Sequence, residues 1–140
     1  MNKEKFDQLA QKGLNCSQLV LAYFGEDYGL DMETIKKIAK PFESGMCQGG
    51  GCGTVNAAYM VLGLAFANDE EDNRDLIISK VQEFNERFEK ERGSIICKDL
   101  LDGLEVYKSG GLDKLFEEGK VEGACQPAMV TAIEILEDMI

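Results

Sequence analysis

Residues 44–59 read SGMCQGGGCGTVNAAY, a glycine-rich loop that runs into an apolar segment of small residues. Glycine gives the backbone access to positive φ and lets neighbouring groups approach closely. Cys52 stands where the loop meets the predicted helix, beside unpaired N–H groups and the positive end of the helix dipole. Such a position favours a thiolate, so this stretch points to cysteine redox or metal chemistry.

Helical periodicity continues on both sides of this stretch. Helices are predicted over residues 3–12, 16–24, 32–40, 52–66, 73–92, 97–101 and 127–140, with one or two turns over 112–118. Asn2, Asn15 and Asp31 are the predicted N-caps of the first three helices. The acidic segment 68–72 is predicted to form a loop that leads into the longest helix. The charge runs 69–75 and 117–122 are predicted to be solvated faces. We predict an all-α, single-domain bundle of about five to seven helices over residues 1–140, with helix 52–66 at its centre.

The composition narrows the function classes. The chain has 140 residues and a formal net charge of −11, which disfavours binding to nucleic acids or anionic membranes. Its longest apolar stretch, residues 55–67, is shorter than the roughly 20 residues that span a bilayer. The N-terminal residues lack the apolar core of a secretion signal. We therefore expect a cytoplasmic protein without membrane insertion.

The side chains available for chemistry are mainly thiols. The chain has five cysteines and no histidine, so imidazole bases and mixed Cys/His zinc sites are excluded. In a reducing compartment, cysteines serve as buried apolar residues, metal ligands or redox groups. No C-x-x-C pair is present, and the P-loop, nucleophile-elbow and EF-hand patterns are also absent. Any metal site would rest on thiolates and carboxylates.

Four cysteines from distant segments are predicted near helix N-termini. They are Cys16, Cys52, Cys97 and Cys125. Each helix end offers dipole stabilisation to a thiolate, whose pKa falls at such positions. We predict that the four ends converge on one site. The alternative is that each thiol packs in the core as a small hydrophobic group.

The order of these single cysteines resembles the C_GCAxxG_C_C family of redox-active proteins. The resemblance rests on Asn15-Cys16, on the glycine loop running into CGTVNA at residues 52–57, and on the single Cys97 and Cys125. It implies a small helical protein whose four characteristic cysteines act in redox or metal chemistry.

The chain departs from the pattern of this family at three positions. Thr54 stands where the family has alanine, and Ala57 where it has glycine. Cys47 is an additional thiol at a position where glycine is expected, and it either pairs with Cys52 or is incidental. The Cβ of Ala57 therefore leaves less room for close backbone approach than the glycine of the family.

Three functions remain open. The first is a thiol oxidoreductase or electron-transfer protein that exchanges with a partner protein or a small thiol. Cys52 would be the attacking thiol, and the thiol that resolves the intermediate would be Cys16, Cys97, Cys47 or Cys125. The second is a metal or iron–sulfur protein with Cys16, Cys52, Cys97 and Cys125 as thiolate ligands, and with Gly51 and Gly53 giving close access to the cofactor. The third is a non-catalytic structural module with buried cysteines. The sequence does not decide between an iron–sulfur cluster, a metal ion and no cofactor, and it is compatible with a homo-oligomer.

Overall fold

A computed structural model describes residues 1–69 and 72–140. These residues form eight α-helices and no strand, and the predicted all-α class is confirmed. The helices are α1 Lys3–Ala10, α2 Cys16–Gly25, α3 Met32–Ala39, α4 Gly53–Phe66, α5 Arg74–Arg92, α6 Cys97–Leu100, α7 Gly111–Glu117 and α8 Gln126–Met139. Of the predicted acidic loop 68–72 and charge run 69–75, residues 70 and 71 lie outside the described part.

The predicted N-caps start three of these helices. Asn2, Asn15 and Asp31 each accept a hydrogen bond from the backbone N–H three residues ahead. At Asn15 the cap is reciprocal, because Gln18 accepts in return from the Asn15 backbone N–H at 2.9 Å. The amide of Asn15 also donates to the Lys40 carbonyl at 3.3 Å. This bond holds the start of α2, and Cys16 with it, against the segment that leads into the glycine loop.

Helices α2 and α4 form the centre of the bundle. Ala57, Ala58 and Val61 of α4 are fully buried, as the small-residue pattern predicted. Helix α2 is equally central, because every residue from Ser17 to Gly25 is buried. Small side chains on α4 let the two helices approach closely, and α5 and α8 close the other side. Phe84 and Phe88 of α5 stack there, with their ring centroids 5.7 Å apart.

A second, smaller apolar cluster lies beside this core. It consists of Leu101, Val106 and Leu115, which belong to the segment between α6 and α8. Gly111 starts α7 with its Cα against the backbone of Glu105 and Val106, where a Cβ would lie 2.7 Å from the Val106 Cα. The segment thus packs mainly on itself and forms a separate wall next to the main bundle.

None of the described helices combines the length and the apolar character that crossing a bilayer demands.

Candidate functional site

An isolated antiparallel bridge joins the segments that carry Cys52 and Cys97. Gly51 pairs with Ile96, the Cys52 N–H donates to the Ile95 carbonyl and the Cys97 N–H donates to the Gly50 carbonyl, both at 2.8 Å. Side chains alternate along extended backbone, so the two cysteines adjoining the bridged pair project from the same face. The bridge therefore sets the first turns of α4 and α6 side by side.

The glycine loop reaches this bridge through a left-handed turn. Ser44, Gly45, Met46 and Cys47 have φ values between 56° and 64°, and the Gly50 N–H closes the turn on the Gly45 carbonyl at 2.9 Å. Each residue other than glycine costs about 1–2 kcal/mol in this conformation. A Cβ on Gly45 would lie 2.8 Å from the Cys97 Cβ. The turn thus packs its backbone directly against Cys97.

Cys16 approaches from the opposite side, at the start of α2. Its Sγ lies against the first turn of α4, where a Cβ on Gly53 would be only 2.8 Å away. The same Cβ would lie 2.7 Å from the Phe42 carbonyl oxygen. Only glycine fits this position. Gly53 therefore brings Cys16 next to Cys52.

Cys125 completes the group. It ends a wide turn over Val121–Cys125 and immediately precedes α8, whose first turn contains Pro127. Cys16, Cys52, Cys97 and Cys125 all line one partly open cavity of about 340 Å³. The structure thus brings the four predicted residues together. It leaves Cys47 apart on the exposed surface, where its thiol donates to the Pro41 carbonyl at 3.6 Å.

The remaining cavity wall is largely apolar. Its aliphatic and aromatic members are Leu14, Leu100, Leu101, Val106, Leu112, Leu115, Phe116, Val121, Ala124, Ala128 and Met129. Its polar side chains, thiols apart, are Asn15, Glu43, Ser44 and Thr54. Of the two glycines proposed to approach a cofactor, Gly53 lines the cavity, whereas Gly51 faces the Asn56 amide outside it. Among the residues described, no lysine or arginine lines this cavity.

Burial raises the pKa of all four cavity thiols. The pKa of Cys97 rises to about 12 and that of Cys125 to about 11. The pKa of Cys16 lies higher still, and negative charge on Cys52 adds to the effect of burial at each of these three residues. The expectation that the helix N-termini lower the pKa of these thiols is therefore wrong for the metal-free protein. Withdrawal from water outweighs the helix dipoles.

Cys52 shows the same competition in detail. It is 7% exposed, and burial raises its pKa. The backbone N–H groups of Val55 and Thr54 lower the pKa without reversing the shift. The helix end is therefore oriented as the sequence predicted, but it is too weak to ionise the thiol by itself.

This protonation state predicts the pH dependence of thiol alkylation. A raised pKa keeps a thiol neutral, so its thiolate fraction grows about tenfold per pH unit until the pKa is reached. We expect iodoacetamide to modify Cys125 and Cys97 at rates that still rise steeply from about pH 8 to about pH 10, Cys125 being the faster. Mass spectrometry of quenched samples follows each site. A plateau below about pH 9 would contradict the raised pKa values.

Two buried hydroxyls beside the cysteines were not recognised from the sequence as site groups. Ser17 and Thr54 are 0% and 1% exposed, and neither hydroxyl oxygen has a partner within normal hydrogen-bond geometry among the described residues. The Thr54 hydroxyl contributes to lowering the pKa of Cys52 and lines the cavity. The signal that could have revealed it is its departure from the alanine expected at this position.

The same thiols are the candidate metal ligands. Thiolates select soft metals and iron–sulfur clusters, so the donor set fits such a group chemically. Among the residues that the structure describes, however, no group of three or more Cys, Asp or Glu is arranged to hold a single metal ion. The donor chemistry fits, whereas the arrangement is not that of a preformed single-ion cage.

Comparison with known proteins gives one family. Residues 14–139 match the family described as "Putative redox-active protein (C_GCAxxG_C_C)". No curated protein and no solved structure matches the chain. The matched range contains the glycine loop and all four cysteines of the cavity. Because the match spans nearly the whole chain, the protein belongs to the C_GCAxxG_C_C family of redox-active proteins.

Proposed function

We propose that this protein is a thiol–disulfide oxidoreductase in which Cys52 is the thiol common to every exchange step. One observation carries the proposal, namely that Cys52 adjoins Cys16 through Gly53 and Cys97 through the Gly51–Ile96 bridge, in the cavity that all four thiols line. A negative charge on Cys52 would raise the pKa of each of the other three thiols. Cys16, packed against Gly53, is the first partner.

In the oxidative half-reaction, the Cys52 and Cys16 thiols form one S–S bond. Two S–H bonds break, and two electrons and two protons pass to an acceptor, a redox partner protein or a small disulfide. Only a thiolate attacks, and burial keeps Cys52 protonated. The N–H groups at the start of α4 then stabilise the negative charge that develops on its sulfur during attack.

Thiol counting under anaerobic conditions tests this function. The reduced protein is treated with diamide, denatured, and titrated for free thiols. We expect about two of the five thiols to disappear and peptide mapping to find Cys52 in the bond. Five unreacted thiols, or a disulfide that lacks Cys52, would refute the proposal. Five unreacted thiols without bound metal would leave the structural module.

A second candidate function is binding of a metal or an iron–sulfur cluster. The observation in its favour is that the four thiols share a cavity in which no described residue supplies a positive charge. Cys16, Cys52, Cys97 and Cys125 would hold the group, which would supply the cation that four thiolates need. Iron, zinc and sulfide are assayed in the same anaerobic preparation. Stoichiometric metal that is lost in Cys16→Ser and retained in Cys47→Ser would replace the disulfide proposal.

A further inference from the structure

The cavity beside Cys52 is larger than a disulfide requires. Its volume of about 340 Å³ falls in the range of sites that take small organic molecules, roughly 300–1,000 Å³. Aliphatic side chains such as Leu101, Val106 and Leu115 line the cavity, and Cys97 and Cys125 pack against them. A compact apolar molecule in the cavity would therefore contact both thiols and aliphatic side chains.

The rim of the cavity adds an unpaired apolar face. Leu112 and Phe116 of α7 lie one helical turn apart and are 54% and 62% exposed, although both also line the cavity. Large side chains at such exposure leave much apolar surface in water. A flat molecule in the cavity would cover part of it and would lie against the Phe116 ring.

One polar group beside the cavity has no well-aligned hydrogen bond to any described residue. Thr54 lines the cavity in the first turn of α4, and its buried hydroxyl lies beside the Cys52 thiol, whose pKa it lowers, without forming a well-aligned bond. Leaving such a hydroxyl unpaired costs about 1–3 kcal/mol. A ligand oxygen that accepts from Thr54 would recover this energy and would lie next to the Cys52 sulfur.

Charge limits the ligand further. Glu43 is the only charged residue among those described that line the cavity, and the whole chain carries −11. An anionic disulfide such as oxidised glutathione would be repelled and would find no cationic partner. In an apolar cavity, a reaction that moves protons together with electrons avoids leaving a buried charge. These conditions describe a neutral acceptor of two electrons and two protons.

We propose that the cavity binds a small quinone, whose carbonyl oxygen accepts from Thr54, and that Cys52 and Cys16 reduce it to the hydroquinone. This inference rests on the proposed thiol–disulfide function. The two S–H bonds break and one S–S bond forms, while the two electrons and two protons convert both quinone carbonyls to hydroxyls. No further oxidant or reductant takes part in this half-reaction.

Duroquinone is a suitable probe because its ring is fully substituted and does not undergo thiol addition. Reduced full-length protein is mixed with it anaerobically, and durohydroquinone is quantified together with the free thiols. We expect about one hydroquinone for each Cys16–Cys52 bond, with rates that saturate as duroquinone increases. Oxidised glutathione should react more slowly and without saturation. No saturation with duroquinone would overturn the proposal, and so would faster saturation by neutral diphenyl disulfide.

Variants separate binding from folding. Thr54→Val keeps the side-chain shape and should raise the half-saturating duroquinone concentration about tenfold. Because the Thr54 hydroxyl also lowers the pKa of Cys52, the diamide rate of the same variant measures the change in thiol reactivity separately from binding. Phe116→Ala, at an exposed position, should raise it as well. Cys47→Ser is the matched control and should behave as the unmodified protein. If all three variants have the same half-saturating duroquinone concentration, the assigned binding mode is refuted.

Oxidation by diamide tests the thiol–disulfide function separately from the quinone proposal. A Cys52 disulfide that forms with diamide, but not with duroquinone, would reject the quinone and keep the thiol–disulfide function. Failure with both reagents would reject the function itself.

Discussion

Gly53→Ala is expected to destabilise the protein by about 3 kcal/mol and to displace Cys16 from Cys52. The added Cβ would lie 2.7 Å from the Phe42 carbonyl oxygen, 2.8 Å from the Cys16 Sγ and 3.3 Å from the Ser17 Cβ. Two of these neighbours lie closer than side chains tolerate, and one is backbone that cannot rotate away. Chemical denaturation gives the free energy of unfolding, and diamide oxidation reports whether the disulfide still forms.

Gly63→Ala is the matched control on the same helix. Apart from the adjoining backbone of the same helix, no atom of the described residues lies within 4 Å of the Cβ that would be added there. Alanine is favoured over glycine inside a helix, so this change should stabilise the protein by about 0.5–1 kcal/mol. If both substitutions shift the free energy of unfolding equally, the close approach of Cys16 to α4 is not a feature of the folded protein.

Cys52→Ser is expected to abolish disulfide formation inside the cavity. Cys52 adjoins Cys16 through Gly53 and Cys97 through the Gly51–Ile96 bridge, so its loss removes the thiol that these two neighbours share. The number of thiols lost to diamide should fall from about two to about zero. Serine is close in size to cysteine, so the fold should persist, which circular dichroism checks.

Two further variants test whether Cys52 has this central position. Cys16→Ser should slow oxidation but leave a disulfide between Cys52 and either Cys97 or Cys125. Cys47→Ser should leave the reaction unchanged, because Cys47 is exposed and lies outside the cavity. A cavity disulfide that persists at the original rate in Cys52→Ser would contradict the assignment.

The features that the sequence predicted correctly depend on neighbouring residues. Asn2, Asn15 and Asp31 cap helices through bonds to the third residue ahead, so local pattern identifies them. The placement of each cavity cysteine at the start of a helix is local in the same sense. The all-α class follows from the sum of such signals.

The features that escaped prediction depend on distant segments. The bridge between Gly51 and Ile96 joins residues that are far apart in the chain, and the hydrophobic periodicity of the sequence does not predict it. The direction of the cysteine pKa shifts was missed for the same reason. The helix dipole is a local property, whereas burial of the Cys16 and Cys97 thiols depends on the whole bundle. The unpaired Thr54 hydroxyl likewise becomes visible only beside the cavity.

The small cluster of Leu101, Val106 and Leu115 has a consequence for local stability. The main core holds the part of the cavity formed by α2 and α4, whereas this smaller cluster holds the part that carries Cys97 and Cys125. A unit with so few buried apolar contacts opens at a lower free energy than the bundle. We therefore expect hydrogen exchange to be faster in this segment than in α4. Such an opening would expose the thiols further while the rest of the protein stays native.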